Sequence, residues 1–193
     1  MLVLASQSPR RLEILQRAGI PVCVRVSGIP ELRLPSESPE NYAQRLAREK
    51  AEAVSREAGE VVLGADTIVV LDGVVLEKPA DAAHAVEMLT LLSGKEHRVV
   101  TGICLLHDGG VISDYAETTV HFVPLSASEI DEYAASGEPL DKAGAYAIQG
   151  LASRFIDRID GCYFNVMGLP VSLVYGYWKA ITGKNWARRC IRS

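Results

Sequence analysis

The chain opens on a run that fixes much of what it can become: Leu2-Val3-Leu4-Ala5, then Ser6-Gln7-Ser8-Pro9-Arg10-Arg11, then Leu12, Ile14, Leu15 and Ala18, closed by Gly19. Four consecutive apolar residues read as a buried strand, Pro9 suits the first turn of a helix, and the apolar spacing that follows is that of an amphipathic helix. Two hydroxyls and two guanidiniums are thereby concentrated where a helix begins. A helix N-terminus presents unpaired N–H groups and a partial positive charge, and arginine adds a planar fork that matches phosphate oxygens. The turn is a candidate polyphosphate site, although a lone Ser-Pro-Arg-Arg serves equally well as a helix cap with solvated arginines.

Strands and helices alternate from there. Val22 to Val26 reads as a second strand, Pro30, Pro35 and Pro39 mark a charged loop, and Ser38-Pro39-Glu40 starts a helix running to about Ala58, with Gly59 as its stop. At about 100° per residue, Tyr42, Ala43, Leu46, Ala47, Ala51, Val54 and Ala58 share one half of that helix, and Lys50 falls near the centre of the same half. A lysine in that position either snorkels past the core or points its ammonium at an anion, because a buried unpaired ammonium is costly.

The middle of the chain supplies acids. Val61-Val62-Leu63 reads as a short buried strand, Gly64-Ala65-Asp66-Thr67 as a break, and Ile68 to Leu71 as a strand that Asp72-Gly73 turns back into Val74 to Leu76. Asp66, expected between two strands, is either a turn former or a functional carboxylate, and Gly64 and Ala65 leave room for close approach to the backbone. A hairpin of this length, at about 3.3 Å per residue, returns Glu77 and Lys78 towards Asp66.

Asp81 caps a helix through Leu92, His97 to Leu106 and Val111 to Val123 form two long strands, and Ser126 with Glu129 makes a capping box for a helix ending at Gly137. Pro139 to Gly150 then packs small residues around Asp141, Lys142 and Gln149. Its glycines permit close approach of a ligand, and an amide suits the mixed donor and acceptor edge of a nucleobase. Taken alone, the segment reads as a glycine-rich connector. Phe155 to Ile159 and Tyr163-Phe164 read as a hairpin about Asp160-Gly161, and Pro170 opens a closing helix with Val171, Val174, Tyr175 and Trp178 inward.

Composition removes several functions. A length of 193 residues suits one domain with two lobes. A net charge of -4, from 20 basic and 24 acidic residues, argues against binding nucleic acid by bulk electrostatics. The basic cluster Lys184, Arg188, Arg189 and Arg192 reads as a solvated tail. Cys23, Cys104, Cys162 and Cys190 are scattered like the reduced cysteines of a cytosolic protein, and the four histidines lack metal-ligand spacing. No run is long and apolar enough to span a bilayer, and Arg10 and Arg11 interrupt the start of any signal peptide, so the expected setting is the cytoplasm, away from membranes. Neither Gly94-Lys95 nor Gly183-Lys184 has the preceding glycine of a P-loop.

Five blocks together carry a resemblance. Ser6 to Arg11, Leu46 to Ala51, Gly64 to Thr67, Glu77-Lys78-Pro79, and Asp141 to Gly144 with Gln149-Gly150 resemble, in order and over nearly the whole chain, the Maf family of nucleoside triphosphate pyrophosphatases. The resemblance implies an α/β fold with an extended, twisted mixed sheet flanked by helices, two lobes and a central cleft. It implies hydrolysis of a nucleoside triphosphate between the α and β phosphates with a divalent cation, magnesium or manganese, in a cytoplasmic homodimer that clears unwanted nucleotides or restrains cell division. Arg10, Thr67 and Gln149 match the branch acting on dTTP and UTP. The branch acting on 7-methyl-GTP carries tryptophan, glutamine and glutamate there. An amide satisfies both a pyrimidine carbonyl and its ring N–H, whereas a carboxylate only accepts.

The same resemblance assigns roles. Asp66 is the expected general base or metal-bound carboxylate, with Glu31 as the second metal acid; Ser8, Arg11, Lys50 and Lys78 neutralise the triphosphate; Arg10, Thr67 and Gln149 set specificity. Pro30 stands where relatives often have an acid, which puts more weight on Asp66 and Glu31. The rival reading is a nucleotide-sensing regulator that keeps the pocket but needs no base.

Overall fold

The computed structural model describes residues 1–183, so the basic tail and Cys190 lie outside the described residues. A seven-stranded mixed sheet runs in the order β2-β1-β3-β5-β6-β7, with β4 paired to β3. Its strands are β1 (Leu2–Leu4), β2 (Val22–Val24), β3 (Val61–Leu71), β4 (Val74–Leu76), β5 (Glu96–His107), β6 (Gly110–Phe122) and β7 (Ile156–Asp160). The helices are α1 (Pro9–Arg17), α2 (Pro39–Glu52), α3 (Ala82–Leu92), α4 (Ala127–Ala135), α5 (Tyr163–Val166) and α6 (Val171–Thr182). No helix among the described residues is long and apolar enough to cross a membrane.

The chain divides into two compact units, one built from Met1–Asp66, Thr101–Ala116 and the chain from Gly168, the other from Thr67–Val100 and Glu117–Met167. In the first unit Val3, Ala5, Val62 and Cys104 pack with Ala47 and Ala51 of α2. Glycine makes this approach possible. A Cβ on Gly64 would stand 2.0 Å from the carbonyl oxygen of Ala47, and one on Gly102 would stand 2.3 Å from the backbone of Ala43, so α2 rests on the sheet backbone at both points. The close approach to the backbone expected at Gly64 is made by a helix.

Four readings of the sequence are corrected. Strand β2 stops at Val24 instead of Val26 because its partner β1 ends at Leu4. Helix α2 stops at Glu52, six residues before Ala58. The guanidinium of Arg25 draws the chain away, donating to the Ser55 carbonyl at 2.8 Å and to the Glu60 carboxylate at 2.5 and 2.9 Å. Asp66 does not separate two strands, since β3 runs unbroken through Gly64 and Thr67. Tyr163-Phe164 begins a helical turn in place of a strand, because Thr118 holds Cys162 through both its N–H and carbonyl and also takes a bond from buried Asn165.

The second unit packs Val69, Leu89, Leu92, Val120, Phe122, Tyr133, Tyr146 and Phe155 into one core. His97 lies inside it, edge-on to Phe122 at 5.1 Å and sharing a 2.8 Å hydrogen bond with the Tyr146 hydroxyl. Burial, helped by His121, pushes its pKa from 6.5 down to about 4. A depressed histidine stabilises the fold above its unfolded pKa, and that contribution is lost as pH falls from about 6.5 through about 4. The expected loss is about 3 kcal/mol by pH 4. Denaturant titrations at a series of pH values should show this component in the parent and not in His97→Gln; parallel profiles would place the acid sensitivity elsewhere.

Candidate active site

Strand β1 pairs in parallel on both sides, with Leu4 level with Val24 on β2 and with Leu63 on β3. Parallel registry brings the carboxyl ends of β1 and the first half of β3 to the same edge, where open α/β sheets collect their ligands. Ala5 still donates to the Leu63 carbonyl at 2.8 Å, and Ser6 follows it out of the sheet. Asp66, three residues past Leu63, arrives at the same level. The chain then enters α1 with Ser8 as its N-cap and Pro9 in the first turn.

Ser8 caps by position only, as its hydroxyl makes no capping hydrogen bond. The helix start is organised by Ser6 instead, whose buried Oγ accepts from the Ser8 backbone N–H at 3.1 Å and from Arg11 Nη1 at 3.1 Å. Arg11 is buried too, and its Nε donates to the Gly168 carbonyl at 2.8 Å. Arg10, the next residue back, is half-buried. Arg11 is thus a fixed guanidinium at a helix N-terminus and not a solvated one.

Lys50 does what its place on the helix required. It is 6% exposed on the inner face of α2, and its Nζ lies 2.5 Å from Asp66 Oδ1 and 2.5 Å from Glu31 Oε1. Ala47 and Ala51, seated against Gly64, set the depth of the helix, so Lys50 meets the acid two residues along the strand. Asp66 is likewise 6% exposed, while the Glu31 side chain, from the loop after β2, is 39% exposed. Burial pushes the Asp66 carboxyl above the usual carboxylate range; Lys50 and then Arg11 pull it back, and Glu31 adds to the rise. Burial also lowers the Arg11 pKa, against the pull of Asp66 and Glu31, with Arg10 lowering it further.

Ser8, Arg10, Arg11, Glu31, Lys50 and Asp66 are therefore brought together within the first unit, whereas Thr67, Lys78 and Gln149 belong to the second. Gly144 and Gly150 do not stand open for a ligand as their sequence suggested. A Cβ on Gly144 would meet Val69 at 2.7 Å, and one on Gly150 would meet the Glu138 carboxylate at 2.4 Å. Ser6 as organiser and the Gly168 carbonyl as anchor of Arg11 were not foreseen. Ser6 was visible in the motif; Gly168, 157 residues from Arg11, gave no signal.

Three cations against two carboxylates, at the start of a helix, form a site for a polyanion beside a carboxyl whose pKa burial raises. Among the described residues no three His, Cys, Asp or Glu side chains cluster as a metal group. The pair Asp66 and Glu31 still fits magnesium, which is commonly held by one or two carboxylates with phosphate oxygens and waters completing the shell. Both already face one cation, the Lys50 ammonium, at 2.5 Å each.

The chain is similar to known proteins along most of its length. The profile of a family described as Maf-like protein matches residues 1–181. A dTTP/UTP pyrophosphatase of Koribacter versatilis is 50% identical over 175 residues, covering 90% of this chain and 91% of that protein. One of Symbiobacterium thermophilum is 52% identical over 171 residues, covering 88% of each. Among solved structures, the Ham1 protein of Staphylococcus aureus aligns with 93% of this chain and 98% of its own at 14% identity and a TM-score of 0.49.

Proposed function

The chain belongs to the Maf-like protein family, and from that premise we propose that it is a pyrophosphatase of dTTP and UTP, cleaving between the α and β phosphates to give the nucleoside monophosphate and pyrophosphate. The observation that carries the reading is the Lys50 ammonium 2.5 Å from both Asp66 and Glu31, with a buried arginine at a helix N-terminus acting electrostatically on Asp66. Relatives about half identical over some nine-tenths of the chain carry that activity in their names.

In this reading Ser8, Arg11, Lys50 and Lys78 oppose the charge of the triphosphate and of the departing pyrophosphate. Asp66, whose raised pKa improves it as a base at neutral pH, accepts a proton from the attacking water or orients that water. Asp66 and Glu31 would hold magnesium or manganese, whose chemistry is to lower the pKa of water and to polarise phosphoryl oxygens. Arg10, Thr67 and Gln149 read the base. A homodimer in the cytoplasm completes the proposal and rests on family resemblance alone.

The test is direct. The purified protein is incubated with magnesium and, separately, dTTP, UTP, CTP, GTP and 7-methyl-GTP, and the products are resolved by ion exchange. Thymidine or uridine monophosphate with pyrophosphate is expected, with dTTP and UTP turned over fastest. Diphosphate with free phosphate, or no turnover of any substrate, overturns the assignment.

A further inference from the structure

Away from the Asp66 cluster, a connected set of polar contacts in the second unit surrounds the turn that carries Gln149. That turn is closed by the Gly150 N–H, which donates to the Ala147 carbonyl at 3.0 Å. On its leading side the Ala147 N–H donates to the Tyr133 hydroxyl at 3.2 Å. On its trailing side the Leu151 N–H donates to Glu138 Oε2 at 3.2 Å. The two anchors are one unit, because the Tyr133 hydroxyl donates to Glu138 Oε1 at 2.9 Å.

The clamp is packed in place on its tyrosine side. Tyr133 is fully buried, with its ring edge-on to Phe155 at 5.4 Å. Burial, reinforced by Glu138, raises its pKa, so the hydroxyl remains a donor to the carboxylate. Gly150 lets the carboxylate close on the turn, since a Cβ there would lie 2.4 Å from it. Ile148 points inward and is 7% exposed, while Gln149 is the exposed residue of the turn. Had the pair served only to end a helix, one bond to the Gly137 region would suffice. Instead it holds Ala147 and Leu151, two residues to either side of the exposed Gln149.

We infer that Tyr133 and Glu138 are positioning residues for Gln149, holding its backbone so that the amide meets a pyrimidine edge without first paying the entropy of ordering the turn. The inference rests on the reading of Gln149 as a base contact. It concerns the base end of the nucleotide, so it separates from the phosphate chemistry of Lys50 and Arg11.

The test compares Tyr133→Phe, which keeps the ring packing, with Glu138→Ala and Gln149→Ala. Each variant is measured for kcat and KM with UTP, for inhibition by inorganic tripolyphosphate, and for thermal midpoint. Loss of one well-placed hydrogen bond predicts a KM for UTP raised about tenfold, with kcat and the tripolyphosphate inhibition constant within about twofold of the parent. A general loosening of the fold would weaken tripolyphosphate as well. If Gln149→Ala raises KM and the folded clamp variants do not, the positioning role is overturned and the role of Gln149 stands. If Gln149→Ala leaves the KM for UTP unchanged, the base contact is wrong and the positioning role falls with it.

Discussion

Replacing Asp66 with asparagine should lower turnover of dTTP and UTP by about a thousandfold or more while leaving the protein folded. The substitution is close to isosteric, and the asparagine carbonyl can still accept from Lys50, so the contact at 2.5 Å changes in charge more than in shape. Lys50 also keeps Glu31. Ionising a carboxyl that burial has pushed above its ordinary range costs folding free energy, and asparagine removes that cost. The variant should therefore melt no more than about 4 °C below the parent, which for a chain of this size corresponds to about 1 kcal/mol. Binding should move the other way from turnover. One negative charge beside Arg11 and Lys50 disappears, so a triphosphate measured by calorimetry in chelator, where no metal is shared with Asp66, should bind the variant at least as tightly as the parent. Retained turnover would remove Asp66 from the chemistry. Loss of metal-free binding together with turnover would make it a structural acid.

What the sequence made legible follows from the range of the interactions involved. Lys50 could be found because helical periodicity is local: a single charge in a stripe of Tyr42, Ala43, Leu46, Ala47 and Ala51 needs a partner, and the partner is there. The capping box at Ser126 and Glu129 and the Asp81 cap are equally local and formed where expected. Asp66 misled for the same reason. A polar residue within an apolar run looks like a break when only neighbours along the chain are counted, yet β3 continues because α2 delivers an ammonium from sixteen residues away. Glycine was read as space for a ligand in the segment before Gly150, and at Gly144 and Gly150 the space belongs to a valine and a carboxylate of the same chain, as the approach expected at Gly64 belongs to a helix. Small residues report that something comes close; they do not report what.

Replacing Lys50 with methionine is the complementary experiment, and its two readouts should diverge. A lysine that opposes charge building on the triphosphate is worth about a hundredfold to a thousandfold in turnover, by analogy with the loss of one preorganised donor to a developing oxyanion. If Lys50 mattered only as a strut between Asp66 and Glu31, any activity lost would return once another cation bridged the two carboxylates. In chelator, methionine leaves the two acids facing each other without the ammonium that now stands 2.5 Å from each, and the fold should lose about 3 kcal/mol, the cost of stripping one partner from a buried ion pair. Magnesium or manganese added to the variant should raise its thermal midpoint more than it raises that of the parent, because the variant has no resident cation to displace. Glu31→Gln in the same background should abolish most of that extra rise. Turnover should stay low throughout, since a metal on the carboxylates does not replace a donor aimed at phosphate oxygens. Full recovery of turnover with metal would reduce Lys50 to a strut. A midpoint that ignores metal would remove Asp66 and Glu31 as its ligands.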